Sequence, residues 1–162
     1  MEKVMEKIKF VNGLIALWNG KGGRSTTLWR REVDLEIMGY SKSFIDAIII
    51  DQSSSFKWRV TGFYENLKAH RRKESWEELA TLNRKYQLPW LCFGDFNEIL
   101  SREEKMGGAP RSQMQMDGFT KVLNVYGFKD LGYSGPNFTW CNLQEGDNRV
   151  YLRLDRAFAT ND

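Results

Sequence analysis

Trp90-Leu-Cys-Phe-Gly-Asp-Phe-Asn-Glu98 is the stretch on which the fold turns. Its first four residues, 90–93, form an unbroken apolar run, the composition of a short strand buried on both faces. The run ends at Gly94, which allows another group close to the backbone, and then delivers Asp95 and Asn97. On an extended backbone a spacing of two puts both side chains on one side. A carboxylate and an amide converging at a strand end are able to orient a water and contact a phosphate oxygen. The same pair also suits a plain turn, with Asp95 as its cap and Asn97 in a local side-chain bond. Spacing leaves both readings open.

Working outward, the chain before this strand changes period. Residues 14–18 are short and apolar, residues 33–38 alternate, and Phe44–Ile50 ends in three isoleucines. Residues 57–63 alternate again, with Trp58, Val60 and Gly62 on one face. Residues 19–27 and 51–55 have the composition of turns. Consecutive antiparallel strands are expected here. Residues 74–86 place Trp76, Leu79, Ala80 and Tyr86 on one helical stripe, and Pro89 ends that helix. A second helix is expected over residues 115–126, with Met116, Phe119, Leu123 and Tyr126 inward and Gly127 as its stop. Leu131, residues 138–141 and residues 150–154 read as further strands. Helices covering buried strands imply a layered α/β domain, in an order too mixed for a doubly wound parallel sheet.

Composition sets the outer limits. The 162 residues carry a net charge of +3, compatible with an anionic partner such as nucleic acid without demanding one. No apolar run reaches the ~18 residues of a membrane span, and residues 1–10 lack the apolar stretch of a signal peptide. Cys92 and Cys141 have no CxxC spacing and read as free thiols, so an intracellular protein is expected. The cluster Lys68, His70, Arg71, Arg72, Lys73 fits a solvated helix approach and also a nucleic-acid contact.

Two further groups could carry chemistry. Arg149-Val-Tyr-Leu-Arg-Leu-Asp-Arg156 ends in Asp155 between two arginines. Alternation would put Tyr151, Arg153 and Asp155 on one face and Leu152 and Leu154 inward; Arg153 is a candidate substrate-binding residue, and a surface ion pair of little consequence is the other reading. Tyr64 follows the alternating strand, where a phenol reaches a cleft or lies half buried. Other patterns fail. Ile99 breaks a calcium loop begun by Asp95 and Asn97, Gly20, Gly22 and Gly23 lack the Gly-Lys-Ser/Thr end of a phosphate loop, and zinc ligands are missing. The lone histidine, His70, does not make a serine triad.

Taken in order, Gly62-Phe-Tyr64, Glu74-Ser-Trp76, Gly94-Asp-Phe-Asn97, Glu103-Glu-Lys-Met-Gly-Gly-Ala-Pro-Arg111, Asp130-Leu-Gly-Tyr-Ser-Gly-Pro136, Phe138-Thr-Trp140 and Arg153-Leu-Asp155-Arg156 resemble one family. It is the endonuclease/exonuclease/phosphatase domain, in the version that opens plant LINE-type (non-LTR) retrotransposon polyproteins. The resemblance spans nearly all of residues 1–162 and implies a four-layered α/β sandwich (DNase I-like), with the active site at one edge of two facing sheets.

The resemblance implies magnesium as cofactor, DNA as partner and metal-assisted phosphodiester hydrolysis. By position, Asp95 matches the aspartate that orients or deprotonates the attacking water. Asn97 matches the asparagine that holds the scissile phosphate and helps order the metal site, Tyr64 the phosphate-contacting tyrosine, and Asp155 the aspartate that steadies the catalytic histidine. Glu65-Asn66 departs from the small-residue turn usual after that tyrosine. Two parts of the family pattern have no match: the opening strands with their asparagine and metal-binding glutamate, and the closing Ser-Asp-His segment. Residues 1–10 read instead as the helix after that glutamate. An incomplete domain, inactive or weakly active alone, is therefore expected, with a non-catalytic nucleic-acid-binding remnant as the alternative. The nucleus is the expected compartment of an intact relative.

Overall fold

β-branched and aromatic residues alternating between positions 34 and 64 form three consecutive antiparallel strands, β3 (Asp34–Tyr40), β4 (Phe44–Ile50) and β5 (Lys57–Tyr64). The structure, a computed structural model, describes residues 12–16, 25–64 and 72–160. Residues 1–10, read as a helix, and the basic positions 68, 70 and 71 lie outside them. The amphipathic run after β5 becomes helix α1 (Arg72–Lys85), and the apolar run becomes β6 (Trp90–Asp95). After a single turn of 3-10 helix come β7 (Lys105–Met106), helix α2 (Gln113–Val125), β8 (Lys129–Asp130), β9 (Trp140–Cys141), β10 (Tyr151–Leu152) and β11 (Asp155–Ala159).

Six of these strands join in one sheet, in the order β3, β4, β5, β6, β11, β8. Only the β5–β6 neighbours run parallel, because α1 carries the chain back between them; the other pairs are antiparallel. β7, β10 and β9 make a small separate sheet. A hairpin of β1 (Asn12–Ala16) and β2 (Ser25–Trp29) packs over β4 and β5. Residues 19–27, read as a turn, therefore contain strand at Ser25, Thr26 and Thr27. Two threonines and Leu28 suit a strand, and the glycines before them masked that signal.

Both helices lie on one face of the six-stranded sheet. The core between them holds Leu79 and Leu82 from α1, Phe119 and Leu123 from α2, and Phe63, Trp90, Cys92 and Phe158 from the strands. Phe96 sits at its centre, 5.2 Å from Phe63 and 4.9 Å, edge-on, from Phe158. This consumes much of the aromatic content, and each fully buried Phe or Leu stabilises by ~1.5–3 kcal/mol before entropy is counted. α2 ends as expected at Gly127, whose φ of +68° allows its N–H to reach Asn124 and that of Phe128 to reach Leu123.

Two expectations about faces change, and one holds. Residues 90–93 are not buried on both sides: Trp90 and Cys92 point into the core, while Phe93, 42% exposed, lies on the opposite face. On β5 Trp58, Val60 and Gly62 share one face as expected, and the helix-facing side is Arg59, Thr61 and Phe63. Arg59 is wholly buried because its charge is matched there. Its Nε and Nη2 each donate to Asp46 at 2.8 Å, a third nitrogen donates to the Leu82 carbonyl of α1, and Trp90 stacks on the guanidinium at 4.5 Å. Thr61 donates to Asp46 and accepts from Trp90 Nε1. Finally, residues 150–154 are not one strand. The chain leaves the small sheet after Leu152 and enters the large one at Asp155, so alternation is interrupted and Leu152, Arg153 and Leu154 are all buried.

Candidate active site

β5 and β6 end side by side, and β11 begins next to them. The ladder sets Tyr64 beside Asp95, and Asp95 opposite Asp155. Three candidate residues thus form one row across three adjacent strands, on the face away from the helices. The strand ends approach closely because residue 94 is glycine. Its φ is +139°, and a Cβ there would lie 2.0 Å from the Phe63 carbonyl oxygen. The row lines a cleft of about 540 Å³ together with Thr26, Thr27 and Leu28 of β2.

Burial is the main influence raising the Asp95 pKa, and the negative charge of Asp155 adds to it; hydrogen bonds from Asn97 act the other way. The Tyr64 phenol is likewise raised, first by burial and then by Asp95. The row therefore concentrates negative charge in a partly dehydrated place.

Asn97 joins Asp95 by a different route from the one spacing implied. The strand stops at Asp95 and Phe96 turns into the core. Asn97 takes a φ of +48°, so extended alternation does not apply. Its backbone N–H donates to Asp95 Oδ1 at 2.9 Å, and its side chain also bonds Asp95. The turn and the convergence are one arrangement. Asn97 is 6% exposed and is not among the residues that line the cleft.

Arg153 lies elsewhere. It is buried with Arg156 against Glu104 and Asp130, 3.6 Å and 3.3 Å away, and its guanidinium sits 4.1 Å over the Tyr133 ring. Arg156 bonds Asp130 at 2.7 Å and also Glu104. These four charges tie the start of β11 to β8 and to the 3-10 turn, so neither the cleft contact nor the surface ion pair describes Arg153. Two residues missed as individuals matter more. Thr139 Oγ1 accepts the N–H groups of Leu154 and Asp155, both at 3.0 Å, and fixes where β11 starts. Arg111 donates to the Asn97 carbonyl at 3.1 Å. Both stood inside motifs that sequence singled out, with no periodicity to mark them.

Two facing carboxylates beside an amide are oxygen donors of the kind a hard cation takes. Among the described residues, however, no three acidic, cysteine or histidine side chains come together as a metal site. Asp95 and Asp155 do not complete a magnesium site by themselves. Among the described residues, no helix is long and apolar enough to cross a membrane.

No protein-family model and no curated protein matches the chain. Solved structures do. The endonuclease domain of TRAS1, a telomere-specific non-LTR retrotransposon, aligns over 93% of this chain and 67% of its own, with a TM-score of 0.70 and 15% identity. The 3′ phosphatase NExo from Neisseria, bound to product DNA hairpin, gives 0.60 at 14% identity over 98% and 70%. The human Nocturnin catalytic domain with bound sulfate gives 0.56 at 13% identity over 99% and 64%. This is the DNase I-like fold. At these identities the likeness carries the fold alone. The chain spans about two thirds of these DNase I-like domains. Helices, main sheet and a hairpin on its far side account for the described part of the layered sandwich.

Proposed function

We propose that this chain is a nuclease-type domain of the endonuclease/exonuclease/phosphatase family, acting on phosphodiester bonds of DNA. The observation that carries the reading is the row of Tyr64, Asp95 and Asp155 lining the cleft. Asp95, its basicity raised by burial and by Asp155, takes the proton of a water placed for attack on phosphorus. Asn97 holds that carboxylate in place through its N–H. The Tyr64 hydroxyl donates to a non-bridging phosphate oxygen, which its proton-retaining phenol suits. Asp155 sustains the negative field that keeps Asp95 basic. Support for DNA as the substrate comes from the TRAS1 endonuclease domain and the DNA-bound NExo among the structural neighbours.

Magnesium is the proposed cofactor, and when bound it supplies charge neutralisation at the phosphoryl oxygens. Asp95 and Asp155 alone would hold it weakly, so we place nicking by this chain alone at slow to absent at ordinary magnesium. The test is relaxation of supercoiled plasmid across a magnesium titration, beside Asp95→Ala. Slow nicking that needs high magnesium and Asp95 supports the reading. Equal nicking by Asp95→Ala sinks it. Salt-sensitive DNA affinity without nicking at any magnesium concentration would favour a binding remnant instead.

A further inference from the structure

We propose that Arg111 is a positioning residue for Asp95, acting by clamping the turn at Asn97 and Glu98 from the loop before α2. The inference rests on the reading of the Asp95 row as the active site. Its geometry is independent of that reading. Arg111 reaches two consecutive residues: Nη2 donates to the Asn97 carbonyl at 3.1 Å, and Nε lies 2.9 Å from Glu98 Oε1 as an ion pair without hydrogen-bond geometry.

Each end of this clamp needs support. Asn97 has a φ of +48°, a conformation that L side chains adopt reluctantly, asparagine least so. Its carbonyl is held by Arg111 while its N–H is held by Asp95. Glu98 is 2% exposed, and a carboxylate so buried is costly unless paired. Arg111 pairs it, and Glu98 Oε1 in turn accepts the N–H of Ile99 at 3.0 Å. The two anchors therefore fix the residues on both sides of the Asn97 peptide unit, and with them the N–H that points at Asp95. Lys105, the neighbouring cation that Arg111 influences, is not a substitute, because its Nζ donates to the Gly107 carbonyl at 2.7 Å. A lysine at 111 would keep the charge but lack a planar fork able to serve both anchors.

The test is amide hydrogen exchange by NMR on the full chain, comparing wild type with Arg111→Lys and Arg111→Ala. We expect protection of the Asn97 and Ile99 amides to fall at least tenfold in both variants, while Leu91 and Phe93 in β6 keep theirs. Should Arg111→Ala fail to fold, Arg111→Lys reads the same amides. Unchanged protection at Asn97, or a loss spread evenly along β6, overturns the proposal. The accompanying functional readout is magnesium-dependent nicking, with kcat at least tenfold lower and KM for DNA within twofold in Arg111→Lys. A normal kcat beside a loosened Asn97 would show that the clamp does not serve Asp95, and would overturn it too. If wild type does not nick at any magnesium concentration, the nuclease reading fails, and the Asn97 amide still decides whether Arg111 clamps the turn.

Discussion

Asp95 and Asp155 occupy one register position, facing each other where β6 ends and β11 begins. Like charges directly opposite in a sheet are destabilising, in the range of ~0.2–1 kcal/mol. The ladder would be steadier with one of them neutral. Beside a cleft, that pairing adds to burial in raising the Asp95 pKa.

The pH dependence follows from the sign of the Asp95 shift. Its folded pKa is raised, so between its unfolded and folded pKa values the folded protein binds more protons than the unfolded chain. Its contribution to stability therefore falls as pH rises through that window. Asp95→Asn keeps an oxygen to accept the Asn97 N–H and removes the charge. It should melt about 1–3 °C above wild type at neutral pH, with the gain vanishing below the ordinary aspartate range. Asp155→Asn should lower the Asp95 pKa, measured by carboxyl carbon NMR titration. A fall in melting temperature for Asp95→Asn at pH 7, or an Asp95 titration indifferent to Asp155, would contradict this account.

Gly94 sets how closely β6 approaches β5. Gly94→Ala places a methyl 2.0 Å from the Phe63 carbonyl carbon's oxygen at a backbone angle that alanine resists. A loss of at least ~2–3 kcal/mol is expected. Gly118→Ala is the matched control: it lies within α2, and an added Cβ meets nothing within 4 Å. There the better helix propensity of alanine should stabilise by ~0.5–1 kcal/mol. Urea denaturation of both variants separates the two cases. Equal stabilities would refute the close-approach argument.

Much of this fold was legible because its signals are local. Phe44–Ile50 and α2 follow from hydrophobic period, and Gly127 from its place after the last helical turn. What escaped depends on contacts between distant segments. Nothing in the alternation of β5 says that Arg59 faces the core, because the reason is Asp46, thirteen positions earlier. Alternation fails at Arg153 because the chain changes sheets between Leu152 and Asp155. The row of Tyr64, Asp95 and Asp155 was legible residue by residue through family resemblance, whereas its register could come only from the paired strands.

The Arg59 pair gives a direct test of that hidden layer. Asp46→Ala leaves a buried guanidinium with one carboxylate fewer and strips Thr61 of its acceptor. The cost should be ~3–5 kcal/mol, the range for breaking a buried pair from one side. Arg59→Met with Asp46→Leu removes both charges, and should recover at least half of that loss. A double variant no more stable than Asp46→Ala would show that the network is needed for more than charge compensation.

Arg153 offers the complementary test, because sequence makes it a candidate substrate-binding residue and the structure places it against Glu104, Asp130 and the Tyr133 ring. If its work is to anchor β11, Arg153→Met should lower stability by ~1–3 kcal/mol, since two partly buried carboxylates lose a partner. Arg156 remains to hold both, which keeps the loss below that of a fully broken pair. DNA affinity should hold within twofold, and the slope of its logarithm against salt should not change, because no phosphate contact is removed. Fluorescence anisotropy with a short duplex at several salt concentrations measures both. A shallower salt slope with an unchanged melt would return Arg153 to the DNA-binding surface, and would mean that its ion pairs open when DNA binds.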